Sequence, residues 1–193
     1  YEDEICGSCS VNLWGECYNI EQTTSLNLWS SGVTGEMPSE IGNLTNLEFL
    51  YLASNQLGCH EYDFDGGCTI SNLSECCITH CDETDECSGK IPPEIGNLMN
   101  LVRLDLPNNQ LSGEIPSDIG NLTNLTSLNL GSNQLTGEIP SEIGNLLNLV
   151  AWNLKYNDLT GEIPQEVCDL IESNDLDIDD ILQGNNLINT CDD

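Results

Sequence analysis

One phrase recurs in this chain at a fixed step of 24 residues. Leu101, Leu104, Leu106, Asn109 and Leu111 return as Leu125, Leu128, Leu130, Asn133 and Leu135, and again as Leu149, Trp152, Leu154, Asn157 and Leu159. The same frame holds upstream at Leu47, Leu50, Leu52, Asn55 and Leu57, and more weakly at Leu26, Leu28, Ser31 and Val33. Five coils are thereby marked, and Leu176 and Ile178 mark a degenerate sixth. A unit this short cannot bury its own apolar face, so the copies must stack into a solenoid with one continuous core.

Within each unit the L-x-L pair alternates as a short strand, its leucines inward and the residues between them outward. Parallel strands about 4.8 Å apart then form a sheet along one side. The Asn column reads as buried amides that bond backbone groups left unpaired at the turn.

Of the 193 residues, 33 are Asp or Glu and 3 are Lys or Arg, a formal net charge of −30. So acidic a surface repels phosphate backbones and anionic lipid, which argues against nucleic-acid and membrane-surface partners and favours cationic ones. Regularly spaced Leu and Ile argue against the disorder that this charge would otherwise imply. Eleven cysteines point to an oxidising compartment. No stretch approaches the roughly 18 apolar residues of a membrane span, so the expectation is a mature, secreted, soluble chain.

The consensus LxxLxLxxNxLxGxIPxxIGNLxN resembles the plant-type leucine-rich repeat over about residues 23 to 57 and 88 to 170. The resemblance implies an α/β-type repeat solenoid: a short right-handed superhelix with a parallel sheet on its concave face and a second short strand near G-x-I-P. It also implies kinship with receptor-kinase ectodomains, polygalacturonase-inhibiting proteins and secreted microbial repeat proteins. Two departures stand out: the coils are few, and a 30-residue insertion interrupts the second one.

The expected organisation is an N-terminal Cys-containing cap over 1–22, repeats over 23–170 interrupted by the insertion at 58–87, and a C-terminal cap over 171–193. The insertion carries Cys59, Cys68, Cys76, Cys77, Cys81 and Cys87, eight acidic residues and both histidines. Six cysteines in a segment too small for its own core point to three disulfides of open pairing. His60 beside Cys59 and His80 beside Cys81 raise zinc as the alternative, against which stand the missing C-x2-C pair and an oxidising compartment. Asp63 and Asp65 have the flavour of a calcium loop without its later ligands, so calcium is a candidate ion and no cofactor is required. Cys6, Cys9 and Cys17 belong to the first cap and leave one thiol over, while Cys168 and Cys191 close the last cap.

Nothing resembles a nucleophile elbow, phosphate loop or metalloprotease motif, so a non-enzymatic chain is expected. Aromatic and Arg side chains are enriched where binding energy concentrates. The strand-face residues Trp29, Phe49, Tyr51, Arg103, Asp105 and Lys155 are therefore the candidate contacts for a protein or glycan partner. The alternative is a structural subunit joined end to end into an extracellular filament or matrix. Glu114, Glu138 and Glu162 form an acidic column, as do Glu94, Asp118, Glu142 and Glu166. Sequons at Asn43, Asn72, Asn121 and Asn124 are candidate glycosylation sites.

Overall fold

The computed structural model describes residues 10–62, 77–81 and 88–191. Cys6, Cys9, Asp63, Asp65, Cys68, Asn72, Cys76 and Cys87 lie outside the described residues.

Each coil contributes one three-residue strand to a parallel sheet: β3 (Ser25–Asn27), β5 (Phe49–Tyr51), β9 (Arg103–Asp105), β11 (Ser127–Asn129) and β13 (Ala151–Asn153). Their spatial order follows the chain, and the register places Leu26, Leu50, Leu104, Leu128 and Trp152 opposite one another. That central column is buried and its flanks face out, as the L-x-L alternation requires. β5 pairs directly with β9, so the insertion loops out without displacing a rung of the sheet.

A second set of short parallel strands forms where the T/S-G-E segments stack. β10 (Ser112–Glu114), β12 (Gln134–Gly137), β14 (Asp158–Glu162) and β15 (Asn186–Ile188) are adjacent in that order, and β4 (Thr34–Gly35) pairs with β6 (Gln56–Leu57). A proline at φ near −65° then opens each 3-10 turn, at 39–43, 93–97, 117–121 and 141–145. Close stacking of these turns requires a glycine: a Cβ on Gly96 would lie 2.5 Å from the Asp118 carbonyl oxygen of the next coil.

The Asn column ties coil to coil. Asn133 accepts from the Leu111 amide at 3.1 Å and donates to the carbonyls of Leu106 and Leu130 at 3.1 and 3.0 Å. Asn55, Asn109 and Asn157 do the same in their own coils. The residue before each rung, Ser54, Asn108, Ser132 or Tyr156, sits in the left-handed region with φ of 55–57°. The core is a stack of Leu and Ile side chains, most of them fully buried.

Two caps close the solenoid. At the first end β1 (Val11–Leu13) and β2 (Glu16–Tyr18) form an antiparallel hairpin through Trp14 and Gly15, both at positive φ as a two-residue hairpin turn demands. Val11 and Leu13 cover the first coil, and the Trp14 indole donates to the Glu36 carbonyl at 3.0 Å. At the other end α1 (Gln165–Asn174) replaces the 3-10 turn and the Cys168–Cys191 disulfide closes the cap.

The degenerate sixth coil has an altered form. Leu176 joins the core, but no strand forms beside β13; instead α2 (Asp179–Leu182) packs there, and the Leu154 and Tyr156 amides donate to the Asp180 and Gln183 carbonyls. Its rung is Asn185, which accepts from the Leu159 amide at 3.1 Å and donates to the Leu154 carbonyl at 2.9 Å.

In the insertion, β7 (Cys59–Tyr62) and β8 (Cys77–His80) form an antiparallel pair stapled by the Cys59–Cys77 disulfide. Cys17 and Cys81 are also disulfide-bonded.

Candidate partner-binding face

The outward positions of the concave sheet are set by register. Phe49 and Tyr51 flank Leu50 on one strand, and their rings lie with planes 4° apart and centroids separated by 6.3 Å. Arg103 stands opposite Phe49 on the next strand, with its guanidinium carbon 5.9 Å from the Tyr51 ring centroid. The contact is a cation–π arrangement at the surface, contributing roughly 0.5–1 kcal/mol and holding the arginine over the Tyr51 ring. Asp105 lies opposite both Tyr51 and Asn129.

The remaining candidates lie apart from this cluster. Trp29 is 63% exposed, just beyond β3, and its backbone amide donates to the Asn27 side chain at 3.1 Å. Lys155 follows β13, and its ammonium meets the Asp180 carboxylate of the cap at 2.6 Å. The hydrogen bond that its ammonium donates to Asp180 raises the lysine above its ordinary value of 10.5, helped by the charges of Asp180 and Asp177 and opposed by desolvation. A raised basic group contributes fully at pH values below 10.5 and loses that contribution only as pH rises through the folded-state value. The pair is therefore intact at neutral pH and ties the end of the strand face to the cap.

A third feature of the face is an amide column that residue type alone did not single out. Asn27, Asn129 and Asn153 each turn a side-chain oxygen back to accept from the backbone amide two residues on, at 3.1, 3.2 and 3.0 Å. In this Asx geometry each side-chain oxygen is engaged and each NH2 group is the donor left over. Room for one of them comes from Gly131, where a Cβ would lie 2.9 Å from the Asn153 amide. The signal in the sequence was Asn recurring in the frame of Asn129 and Asn153.

The acidic column lies elsewhere, along the second strands. Glu114 crosses over Gly137 and Glu138 over Gly161, each on the glycine of the next coil. Among the described residues no group of three or more His, Cys, Asp or Glu side chains is placed to hold a metal ion, and no helix is long and apolar enough to cross a membrane.

The Leucine Rich Repeat family model matches residues 100–122 and 124–146. No curated protein matches the sequence. Among solved structures, a chain of the BIR3–SERK2 complex of Arabidopsis thaliana is 30% identical, with a TM-score of 0.62, over 97% of this chain and 80% of that one. The BIR2 ectodomain of Arabidopsis thaliana is 32% identical, TM-score 0.62, over 84% of this chain and 68% of that one. The GASSHO1/SCHENGEN3 receptor-kinase ectodomain of the same plant, in complex with CASPARIAN STRIP INTEGRITY FACTOR 2, is 32% identical with a TM-score of 0.55. There the match covers 72% of this chain and 13% of that one, so this chain spans about an eighth of the larger receptor's length.

Proposed function

This chain belongs to the plant-type leucine-rich repeat family, and from that premise we propose that it is an extracellular, non-enzymatic binding module whose concave strand face takes a protein or peptide partner. The observation that carries the reading is the cluster of Phe49, Tyr51 and Arg103, pre-ordered by ring packing and the cation–π contact. Large side chains with little rotamer freedom left to lose are the ones on which binding energy concentrates. The amides of Asn27, Asn129 and Asn153 supply donors along the same face, suited to the carbonyls of an extended peptide. The larger similar ectodomain is itself seen holding a separately named factor, which supports the same use of the fold here.

The test uses a displayed library of random peptides selected on the immobilised protein, with affinities of the selected peptides measured by calorimetry. Tyr51→Ala and Arg103→Ala are each expected to weaken binding by roughly 1–3 kcal/mol. Glu138→Ala, on the second-strand side, should leave it unchanged. Selected peptides indifferent to both concave substitutions would overturn the assignment.

A further inference from the structure

The 3-10 side of the solenoid carries a groove of about 850 Å³ that crosses four coils. The side chains of Asn43, Asn97, Asn121 and Asn145 line it at equivalent positions, all exposed. Two residues further on stand Thr45, Met99, Thr123 and Leu147, so that sequons alternate with large apolar side chains left 63% and 71% exposed.

The three described sequons differ in what the fold does with them. At Asn124 the side-chain amide donates to the Met99 carbonyl at 2.8 Å, and the Thr126 hydroxyl donates to the Val102 carbonyl at 3.1 Å. Both groups are committed to the preceding coil, as are the amides of Asn100 and Asn148 in the same column. At Asn43 and Asn121, among the described residues, no hydrogen bond engages the acceptor amide or the hydroxyl of Thr45 or Thr123.

We propose that Asn43 and Asn121 are N-glycan attachment sites, that Asn124 is not, and that the two glycans cover the groove. The inference is independent of the concave-face reading. In the transfer, the amide Nδ2 bonds to the anomeric carbon of a lipid diphosphate-linked oligosaccharide. The bond from that carbon to phosphate oxygen breaks, the lipid diphosphate leaves, and one amide proton passes to the transferase. Transfer precedes folding, so the fold selects afterwards: a chain glycosylated where the fold leaves no room does not reach the folded, secreted state. A sugar on Asn124 must fit against the backbone of the neighbouring coil, whereas one on Asn43 or Asn121 projects into open groove. The apolar faces of the sugars then lie over Met99 and Leu147.

The chain is expressed in a eukaryotic secretory host and the folded, secreted protein is digested with a peptide N-glycanase in heavy-oxygen water. Labelled Asp is expected at 43 and 121 and unmodified Asn at 124. Thr45→Ala and Thr123→Ala should each remove one glycan while leaving the melting temperature of the unglycosylated protein unchanged. Met99 and Met37 are the two methionines of the chain, and Met37 is buried at 3% exposure, an internal control. Peroxide should convert Met99 to its sulfoxide several-fold more slowly in the glycosylated protein than in the doubly substituted one. Occupancy of Asn124 equal to that of Asn121, or empty Asn43 and Asn121, would overturn the assignment. Equal Met99 oxidation would overturn the covering role.

Discussion

Asn109 meets four backbone groups: it accepts from the Leu57 amide at 3.1 Å and donates to the Leu52, Leu106 and Pro107 carbonyls at 2.9, 3.0 and 3.4 Å. It also spans the point where the insertion leaves the coil. A buried backbone group stripped of its partner costs about 1–3 kcal/mol. Asn109→Ala strips more than one, so a loss of about 2–4 kcal/mol is expected from urea unfolding. Asn97→Ala, on the exposed groove column, should stay within about 0.5 kcal/mol. A similar loss from both would mean that the rung contributes no more than a surface asparagine. The rung column also explains the backbone beside it, since a left-handed non-glycine residue such as Ser132 or Tyr156 is costly unless its neighbours hold it.

At the scale of elements, the C-terminal cap is the part that departs from the repeat. The Cys168–Cys191 disulfide closes a loop with a sequence separation of 23 residues. In the chain-entropy account such a closure contributes about 3 kcal/mol. Cys168→Ser with Cys191→Ser is expected to lower stability by that order, with hydrogen exchange rising first in α1, α2 and β15. Loss confined to those elements would show that the cap opens as a unit, while unchanged exchange would refute its dependence on the disulfide.

The repeat frame makes the central strand column and the Asn rungs legible in sequence, because period and residue type agree closely in the coils from Leu101 to Leu159 and the same residues recur from Leu47 to Leu57. The sixth rung is not legible. Asn185 follows Asn157 by 28 residues, since α2 adds length where a strand would stand. The second strands come from the family resemblance rather than from pattern, as Thr-Gly-Glu shows no apolar alternation. Tyr51 and Arg103 could be placed side by side only by assuming that the insertion loops out, and the Lys155–Asp180 pair was hidden because Asp180 lies in the irregular cap. The different uses of the Asn121 and Asn124 amides, three residues apart, depend on which neighbour each can reach.

For the molecule as a whole, charge sets the conditions under which the coils stack. Like charges repeated at the coil spacing of about 5 Å repel by on the order of 0.8 kcal/mol per pair in water. Interactions beyond the nearest coils are screened at about 0.1 M salt. Raising sodium chloride from low concentration to about 0.15 M should therefore raise the melting temperature by several degrees, at about 2–4 °C per kcal/mol for a chain of this size. Calcium chloride at matched ionic strength should give the same gain where screening alone acts. A distinct extra gain from calcium would refute pure screening and direct attention to the acidic insertion. The last strand of the concave sheet is sealed by α2, which opposes extension of that sheet into a filament at this end.

The placement of one coil's side chain on the glycine of the next, Glu114 on Gly137 and then Glu138 on Gly161, makes these two junctions interchangeable. Excising residues 124–147 would bring Asn148 to the carbonyl that Asn124 now holds and regenerate a junction already present. A gene encoding such a chain can lengthen or shorten by unequal recombination between its own repeats, and each crossover in frame yields a protein whose seams are all familiar ones. Partner specificity can then be inherited from a few marked coils while overall reach drifts in whole steps.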